Sequence, residues 1–293
     1  MRRMMIMLVL AALLAGCVGG NLPDSVHSLA SLPESVVQVD DDPFAYRIFG
    51  EGPPLLMIMG FAGTMDIWDT KFVRELAKEH TVIIFDNRGI GGSGKGTEEI
   101  SITGMAADSA ALLRELGYPH ADVLGWSMGG LIAQELALNY PEKVNKLVLI
   151  GTSCDAKPVV ATTHRLMKMD VPELLSHFFP SGWVEKYPEA FEKLPRPASP
   201  PDQKIIQSQA AAMLRWPGCC SRLTGFDKPT LVISGLDDDI LPEALGVEIV
   251  KKVQGSWLVR YKNATHWLMY QDPVGLVITI NNFLAVKQDL LSQ

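Results

Sequence analysis

The chain is poor in the residue types that build metal centres and nucleic-acid-binding surfaces. It has 293 residues but only four cysteines, Cys17, Cys154, Cys219 and Cys220, and its cysteines and histidines do not have metal-site spacing. Acidic residues outnumber basic ones by 33 to 26, which gives a formal net charge of −7. An acidic protein has no general electrostatic attraction to nucleic acid or to anionic lipid. We therefore expect no metal ion and no nucleic-acid partner.

The N-terminus lacks an apolar run long enough to cross a bilayer. Arg2 and Arg3 precede an apolar stretch at 4–14, and the sequence Leu-Ala-Gly-Cys follows, ending at Cys17. This pattern resembles the signal peptide of prokaryotic lipoproteins, which are cut before the cysteine that carries the lipid. The resemblance implies cleavage of residues 1–16 and an extracytoplasmic protein anchored to a membrane through lipid on Cys17. The alternative is an ordinary secretory signal in which the cysteine is incidental.

Internal repeats and low-complexity tracts are also missing from the sequence. The hydrophobic content of 47% is ample for a core, and the length fits one α/β domain with an insertion. Besides Cys17, three cysteines remain, an odd number that allows at most one bridge among them. We expect buried thiols at these positions; a disulfide from Cys154 to Cys219 or Cys220 is the alternative.

The most informative feature that is present is a Gly-x-Ser-x-Gly motif at 125–129, centred on Ser127. A short apolar segment at 121–124 precedes it, as in a buried strand, and the apolar spacing at 128–139 is helical until Pro141. Between a strand and a helix this motif is typical of a nucleophile elbow, in which a tight turn projects the serine hydroxyl above the sheet. The simpler alternative is a serine that caps the helix.

A serine nucleophile needs a base, and His266 is the only one of the six histidines that follows Ser127 and a strand-terminal acid. The strand pattern at 231–235 ends in a run of three acids, Asp237, Asp238 and Asp239, and His266 lies in the loop after the strand pattern at 257–261. Each candidate thus follows the carboxyl end of a strand, where α/β sheets build their sites. The alternative for His266 is a structural loop histidine.

These motifs resemble the α/β-hydrolase superfamily, close to the lipase/esterase-like group that includes pimeloyl-carrier-protein methyl ester esterases. The similarity runs from about residue 44 to the C-terminus, and it rests on five segments: 55–61, 85–93, 125–130, 235–242 and 266–273. The resemblance implies an α/β-hydrolase fold, with a mostly parallel eight-stranded sheet flanked by helices and a helical cap inserted after the sixth strand.

The resemblance also assigns roles within the site. The family places its triad acid three positions beyond the glycine that closes the strand, which leads from Gly235 to Asp238; some members use the preceding strand, where Asp155 is the candidate. The oxyanion hole would consist of the backbone N–H groups of Phe61 and Met128. This chain departs from the family in having Met-Gly at 59–60 instead of His-Gly, which reduces the polar support of that loop.

The function implied is that of a serine hydrolase without a cofactor. We expect a carboxylesterase that cleaves small to medium acyl esters through an acyl-enzyme on Ser127, with His266 as base and Asp238 as its partner. A C–C bond hydrolase or a cofactor-free perhydrolase on the same triad is the alternative, because this fold hosts many reactions. A non-catalytic surface lipoprotein is the third interpretation.

The predicted organisation is a signal peptide at 1–16, a tether at 17–42, a core at 43–152 and 227–293, and a helical cap at 153–226. Within the cap, helical patches are expected at 172–179 and 203–214. Five apolar side chains are candidates for an acyl pocket or for simple packing of the cap: Phe178, Phe179, Trp183, Met213 and Trp216. Met59, Met65 and Met128 near the oxyanion loop indicate an adaptable apolar pocket.

A second glycine pattern, Gly-x-Gly-x-x-Gly at 89–94, matches a dinucleotide fingerprint in spacing only. A nucleotide site would need a helix that begins within the glycines, whereas polar residues follow at 95–99 and the helical pattern begins near Ile102. We expect Asp86 and Arg88 to hold this loop beside the site instead.

Overall fold

The computed structural model describes residues 20–192, 194–195 and 201–287. The predicted signal peptide and Cys17 lie outside the described residues. The strands are β1 (Ser35–Val39), β2 (Asp42–Phe49), β3 (Pro54–Ile58), β4 (Thr81–Phe85), β5 (Ala121–Trp126), β6 (Val144–Ile150), β7 (Thr230–Gly235) and β8 (Trp257–Tyr261).

The α-helices fall into a core set and a cap set. The core set is α1 (Thr70–Leu76), α2 (Ile102–Glu115), α3 (Met128–Asn139), α9 (Glu243–Val250), α10 (Leu268–Gln271) and α11 (Pro273–Ala285). The set between β6 and β7 is α4 (Ala156–Leu166), α5 (Val171–Phe178), α6 (Trp183–Lys186), α7 (Pro188–Glu192) and α8 (Gln203–Arg215). Within the described part of the chain, no helix is both long and apolar enough to cross a membrane.

All eight strands form one sheet in the order β1-β2-β4-β3-β5-β6-β7-β8. The strands from β3 onwards are parallel to their neighbours, whereas β2 pairs antiparallel with both β1 and β4. Helices cover both faces, and β5 is accordingly buried at every position, which is why its residues are apolar rather than alternating, with the exception of Asp122. The predicted mostly parallel, eight-stranded α/β sheet is confirmed.

Two apolar clusters cover the two faces of the sheet. One contains the buried faces of α2 and α3, including Leu112 and Leu131, and the other contains those of α1 and α11, including Phe72 and Phe283. This arrangement leaves the loops at the carboxyl ends of the parallel strands free to carry polar groups.

The structure corrects the predicted tether at 17–42. Within it, β1 pairs with β2, Leu22 and Leu29 are buried, and Arg74 of α1 donates to the carbonyl of Val26. β1 is an edge strand, and its side chains alternate between partly buried and exposed positions up to the buried Val39. The folded domain therefore begins by residue 22, well before the predicted boundary at 43.

The segment predicted as a cap, 153–226, holds helices α4 to α8, and the two expected helical patches correspond to α5 and α8. Its two ends are joined by a disulfide between Cys154 and Cys220, whose Cα atoms are 4.8 Å apart. The expected buried thiol is found only at Cys219, where burial raises the pKa to about 12. The disulfide closes the cap insertion at its base.

Candidate active site

Ser127 lies in the sharp turn between β5 and α3, with a φ of 57° and a ψ of −123°. A non-glycine residue in this region is strained, and such strain is concentrated at functional sites. The motif glycines are required by close packing: a Cβ on Gly125 would lie 2.3 Å from the carbonyl oxygen of Gly129, and one on Gly129 would lie 2.0 Å from that of Ile58. The turn is held by Thr152, whose hydroxyl donates to the Ser127 carbonyl over 2.9 Å.

The structure brings Ser127, His266 and Asp238 into one hydrogen-bonded chain. Nε2 of His266 is 2.9 Å from Oγ of Ser127, and Nδ1 is 2.8 Å from Oδ2 of Asp238. Oδ1 of Asp238 accepts from the N–H groups of Ile240 and Leu241, each over 2.9 Å. His266 is 2% exposed and Asp238 is 4% exposed, so the hydrogen bond between their side chains is shielded from water.

The other acidic candidates have different partners. Oδ2 of Asp239 is 2.7 Å from Nδ1 of His177, Asp155 caps α4 through the N–H of Lys157, and Asp237 is exposed. Of these candidate acids, only Asp238 contacts His266.

Trp126, the last residue of β5, contacts the histidine loop. Its Nε1 donates to the carbonyl of His266 over 2.9 Å, and its ring centroid is 5.1 Å from that of the imidazole. The indole is 4% exposed and also forms part of the wall of the cavity above Ser127. Trp126 therefore links the strand that carries the serine to the loop that carries the histidine.

The two predicted oxyanion donors flank Ser127. Met128 is the first residue of α3, so no preceding helical turn supplies a carbonyl for its N–H. Phe61 follows Gly60, which packs against the serine: a Cβ on Gly60 would lie 3.1 Å from the Cβ of Ser127. Asn87 donates to the Met59 carbonyl over 3.0 Å.

The same loop has a second polar support from the cap. Gln209 of α8, which is fully buried, accepts from the N–H of Ala62 over 3.0 Å. Asn87 and Gln209 together support the loop in which the family has a histidine and this chain has Met59. Neither amide has a signal in the sequence, because neither is close to the loop along the chain.

The glycine loop at 89–94 is held by Asp86, as expected. The carboxylate accepts from the N–H groups of Met65 (2.7 Å) and Gly92 (3.0 Å), and burial raises its pKa to about 6. A Cβ on Gly91 would lie 2.0 Å from this carboxylate, which explains the glycine there. Arg88 pairs with Asp108 of α2. Gly91 thus serves the packing of a buried acid.

A cavity of about 750 Å³ opens above Ser127 and His266. Its wall is mostly apolar, and the cap supplies much of it through Leu166, Met167, Met169, Val171, Leu174, Leu175, Phe178, Phe191, Leu194, Pro195 and Ile206. Across the described ranges, no cluster of three or more His, Cys, Asp or Glu side chains could hold a metal ion.

Of the five apolar cap candidates, only Phe178 lines the cavity. Phe179 stacks on Trp183 at a centroid distance of 4.3 Å, and Met213 and Trp216 are buried in the core, where the indole donates to Glu135. Met59, Met65 and Met128 are buried outside the wall, and Met167 and Met169 take that place. The apolar face of α4 and α5 is the sequence feature that could have indicated these wall residues. Whether that face points into the cavity depends on how the cap packs on the core.

Comparisons with known proteins agree with this architecture. A family model described as alpha/beta hydrolase fold matches residues 53–204. The chain is 27% identical over 231 residues to 3-oxoadipate enol-lactonase 2 of Acinetobacter baylyi, covering 73% of this chain and 82% of the relative. It is 36% identical over 106 residues to the pimeloyl-[acyl-carrier protein] methyl ester esterase of Aeromonas hydrophila, covering 36% of this chain and 40% of the relative.

A solved structure of an alpha/beta hydrolase fold protein from Chitinophaga pinensis is similar over most of the molecule. The TM-score is 0.79 at 27% identity, with 88% of this chain and 99% of the other covered. The family model alone spans more than half of the sequence. On these grounds the chain belongs to the α/β hydrolase fold family.

Proposed function

We propose that this hydrolase is a serine carboxylesterase that works through an acyl-enzyme on Ser127. The observation that carries the proposal is the hydrogen-bonded chain from Ser127 through His266 to Asp238. His266 takes the hydroxyl proton as Oγ attacks the ester carbonyl, and Asp238 on the Nδ1 side holds the tautomer and stabilises the imidazolium. The imidazolium then protonates the departing alcohol, and a water activated by the same base releases the acid.

The negative charge that develops on the carbonyl oxygen needs preorganised donors. The N–H groups of Phe61 and Met128 are suited to this role, since Met128 begins α3 and the Phe61 loop is supported by Asn87 and Gln209. Removal of one such donor typically lowers kcat by about 10²–10³.

The substrates we propose are esters of small to medium acyl groups. The cavity of about 750 Å³ has a mostly apolar wall and ends at Ser127 and His266, so it suits an apolar acyl chain that reaches the nucleophile.

A fluorophosphonate probe and an ester assay test the proposal together. The probe should label the wild type at Ser127, and Ser127→Ala should abolish labelling and lower kcat on p-nitrophenyl butyrate by about 10⁴ or more. Ser256→Ala, the same change in the loop directly before β8, should retain both. A folded wild type that neither labels nor turns over any ester would overturn the proposal and favour a non-catalytic binding protein.

We also propose that the mature protein begins at a lipidated Cys17 and lies outside the cytoplasm. The signal-like N-terminus supports this, as does the Cys154–Cys220 disulfide, because disulfides persist in oxidising compartments. Because Leu22 is already packed in the domain, the five residues from Cys17 would reach at most about 18 Å, and the domain would lie close to the bilayer. Cys17→Ser should release the protein from the membrane fraction; an intact Met1 in the native host would contradict the proposal.

A further inference from the structure

The carbonyl of Phe178, the last residue of α5, collects three donors from the segment that carries His266. The hydroxyl of Thr265 donates to it, as do Nε2 of Gln271 over 3.1 Å and the N–H of Trp267 over 3.3 Å. Two of these donors are the immediate neighbours of His266 in the chain. A cap residue is thus hydrogen-bonded to both chain neighbours of His266.

Gln271, at the end of α10, closes this cluster. Its Oε1 accepts from the N–H of Thr265 over 3.1 Å, and its Nε2 also donates to the Thr265 hydroxyl over 2.9 Å. Thr265 is 5% exposed, and Gln271 is half-buried. We call the group formed by the Phe178 carbonyl, Thr265 and Gln271 the histidine clamp.

The ring of Phe178 completes the contact. Its centroid is 5.7 Å from that of His266 with an interplanar angle of 29°, and it packs at 4.7 Å against Trp267. Trp126 also packs against the imidazole. The His266 ring therefore contacts one ring from the core and one from the cap.

The cap also bonds to the loop that carries the acid. Arg165 of α4 donates to the carbonyl of Asp239, Thr162 donates to that of Ile240 over 2.9 Å, and His177 of α5 pairs with the Asp239 side chain. The loop that carries Asp238 is thus attached to α4 and α5, and the loop that carries His266 is attached to α5.

We propose that α5 positions the catalytic base, so that the triad is assembled only while this helix is docked on the histidine loop. The cap then sets the reactivity of Ser127 as well as the shape of the acyl cavity. Thr265 and Gln271 are positioning residues, because they act on His266 through its backbone and through Phe178. The inference rests on the proposed function in one respect: the reaction must use His266 as its base.

The clamp can be tested without altering the cavity, because neither Thr265 nor Gln271 lines it. Thr265→Val removes the hydroxyl at nearly constant shape, whereas Thr265→Ser retains it. Gln271→Met removes the amide. Gln207→Met on α8 is the matched control, since the Gln207 side chain is exposed and makes no hydrogen bond to another described residue. The readouts are the rate of fluorophosphonate labelling, kcat and KM on p-nitrophenyl butyrate, and the low-field proton signal of the Nδ1–H that His266 shares with Asp238.

Thr265→Val and Gln271→Met should each lower the labelling rate and kcat about tenfold, with KM within twofold, because a small misplacement of a catalytic group carries a loss of this order or larger. The low-field signal should broaden or disappear in both. Thr265→Ser and Gln207→Met should behave as the wild type.

Wild-type labelling rates and an intact low-field signal in Thr265→Val and Gln271→Met would overturn the clamp while leaving the esterase proposal untouched. A wild type that does not label would instead overturn the esterase proposal. If Thr265→Val fails to fold by circular dichroism, the comparison of Gln271→Met with Gln207→Met decides.

Discussion

At the scale of single residues, three consecutive aspartates after β7 have three different environments. Asp238 is buried and bonded to His266 and to two backbone N–H groups, Asp239 pairs with His177, and Asp237 is exposed. Neighbouring carboxylates repel one another when they point the same way, so burying more than one of them at this position would cost electrostatic free energy. The backbone turns sharply after β7, so the three carboxylates point in different directions.

Asp238→Asn should lower kcat on a p-nitrophenyl ester by up to ~10⁴, because an amide beside Nδ1 favours the wrong imidazole tautomer. Steady-state kinetics on the folded variant measures the loss. Asp237→Asn is the matched control and should stay within twofold, and Asp155→Asn should too, since asparagine caps α4 as well as aspartate does. A deep loss in Asp155→Asn with an active Asp238→Asn would contradict the assignment.

At the scale of secondary-structure elements, the cap helices determine the size of the cavity above Ser127, which we propose binds the acyl group. Rates on p-nitrophenyl esters should rise with acyl length and then fall, since each buried methylene contributes about 0.8 kcal/mol, or about fourfold in kcat/KM, until the cavity is full. Ile206→Phe on α8, which narrows the wall, should move the maximum to shorter chains. Ile278→Phe on α11, where the residue is 57% exposed, should not.

A profile of kcat/KM against acyl length checks this prediction. A wild-type profile that still climbs at long-chain acyl groups would indicate an open site rather than a closed cavity. An unchanged maximum in Ile206→Phe would mean that the acyl group binds elsewhere.

At the scale of the whole molecule, stability should depend on the ionisation of buried acids. Asp122 at the start of β5 is buried, its Oδ1 has no hydrogen-bond partner in the described residues, and burial raises its pKa from 3.8 to about 6. The folded state thus holds the proton more tightly than the unfolded state. The free energy of unfolding should therefore fall as the pH rises from about 4 to about 6, and stay lower above that.

Asp122→Asn should remove this part of the pH dependence. The variant should gain up to about 3 kcal/mol of unfolding free energy at pH 7 and almost nothing at pH 4. Denaturant unfolding at the two pH values measures the difference, with Asp41→Asn at an exposed position as the control. Equal slopes in the wild type and Asp122→Asn would show that another group carries the dependence.

Much of the fold was predictable because its signals are local. The apolar segment at 121–124, the glycines around Ser127 and the helical spacing after it act within one turn of the chain, where steric exclusion leaves few conformations. The same holds for the turn after Gly235. The elements and the order of the motifs followed from these signals, whereas the mostly parallel sheet and the choice of Asp238 followed from the resemblance to a known family.

The errors and omissions concern contacts between residues far apart in sequence. The segment at 20–42 has the polar composition of a linker, yet β1 pairs with β2 and Leu29 is buried in the core. The pairing of Cys154 with Cys220, and not with Cys219, depends on how the ends of the cap meet. Neither outcome has a local signature.

The sequence by itself determined the tight turn at Ser127 and the order of serine, acid and histidine, because backbone sterics and hydrophobic periodicity act along the chain. The class of fold followed from the resemblance of these motifs to a known family. Only the tertiary structure decided which cap side chains face the cavity, that Gln209 supports the oxyanion loop, and that Phe178 holds both neighbours of His266. These contacts arise when the cap docks on the sheet edge. Docking depends on side-chain packing and hydrogen bonds across elements, which no pattern along the chain encodes.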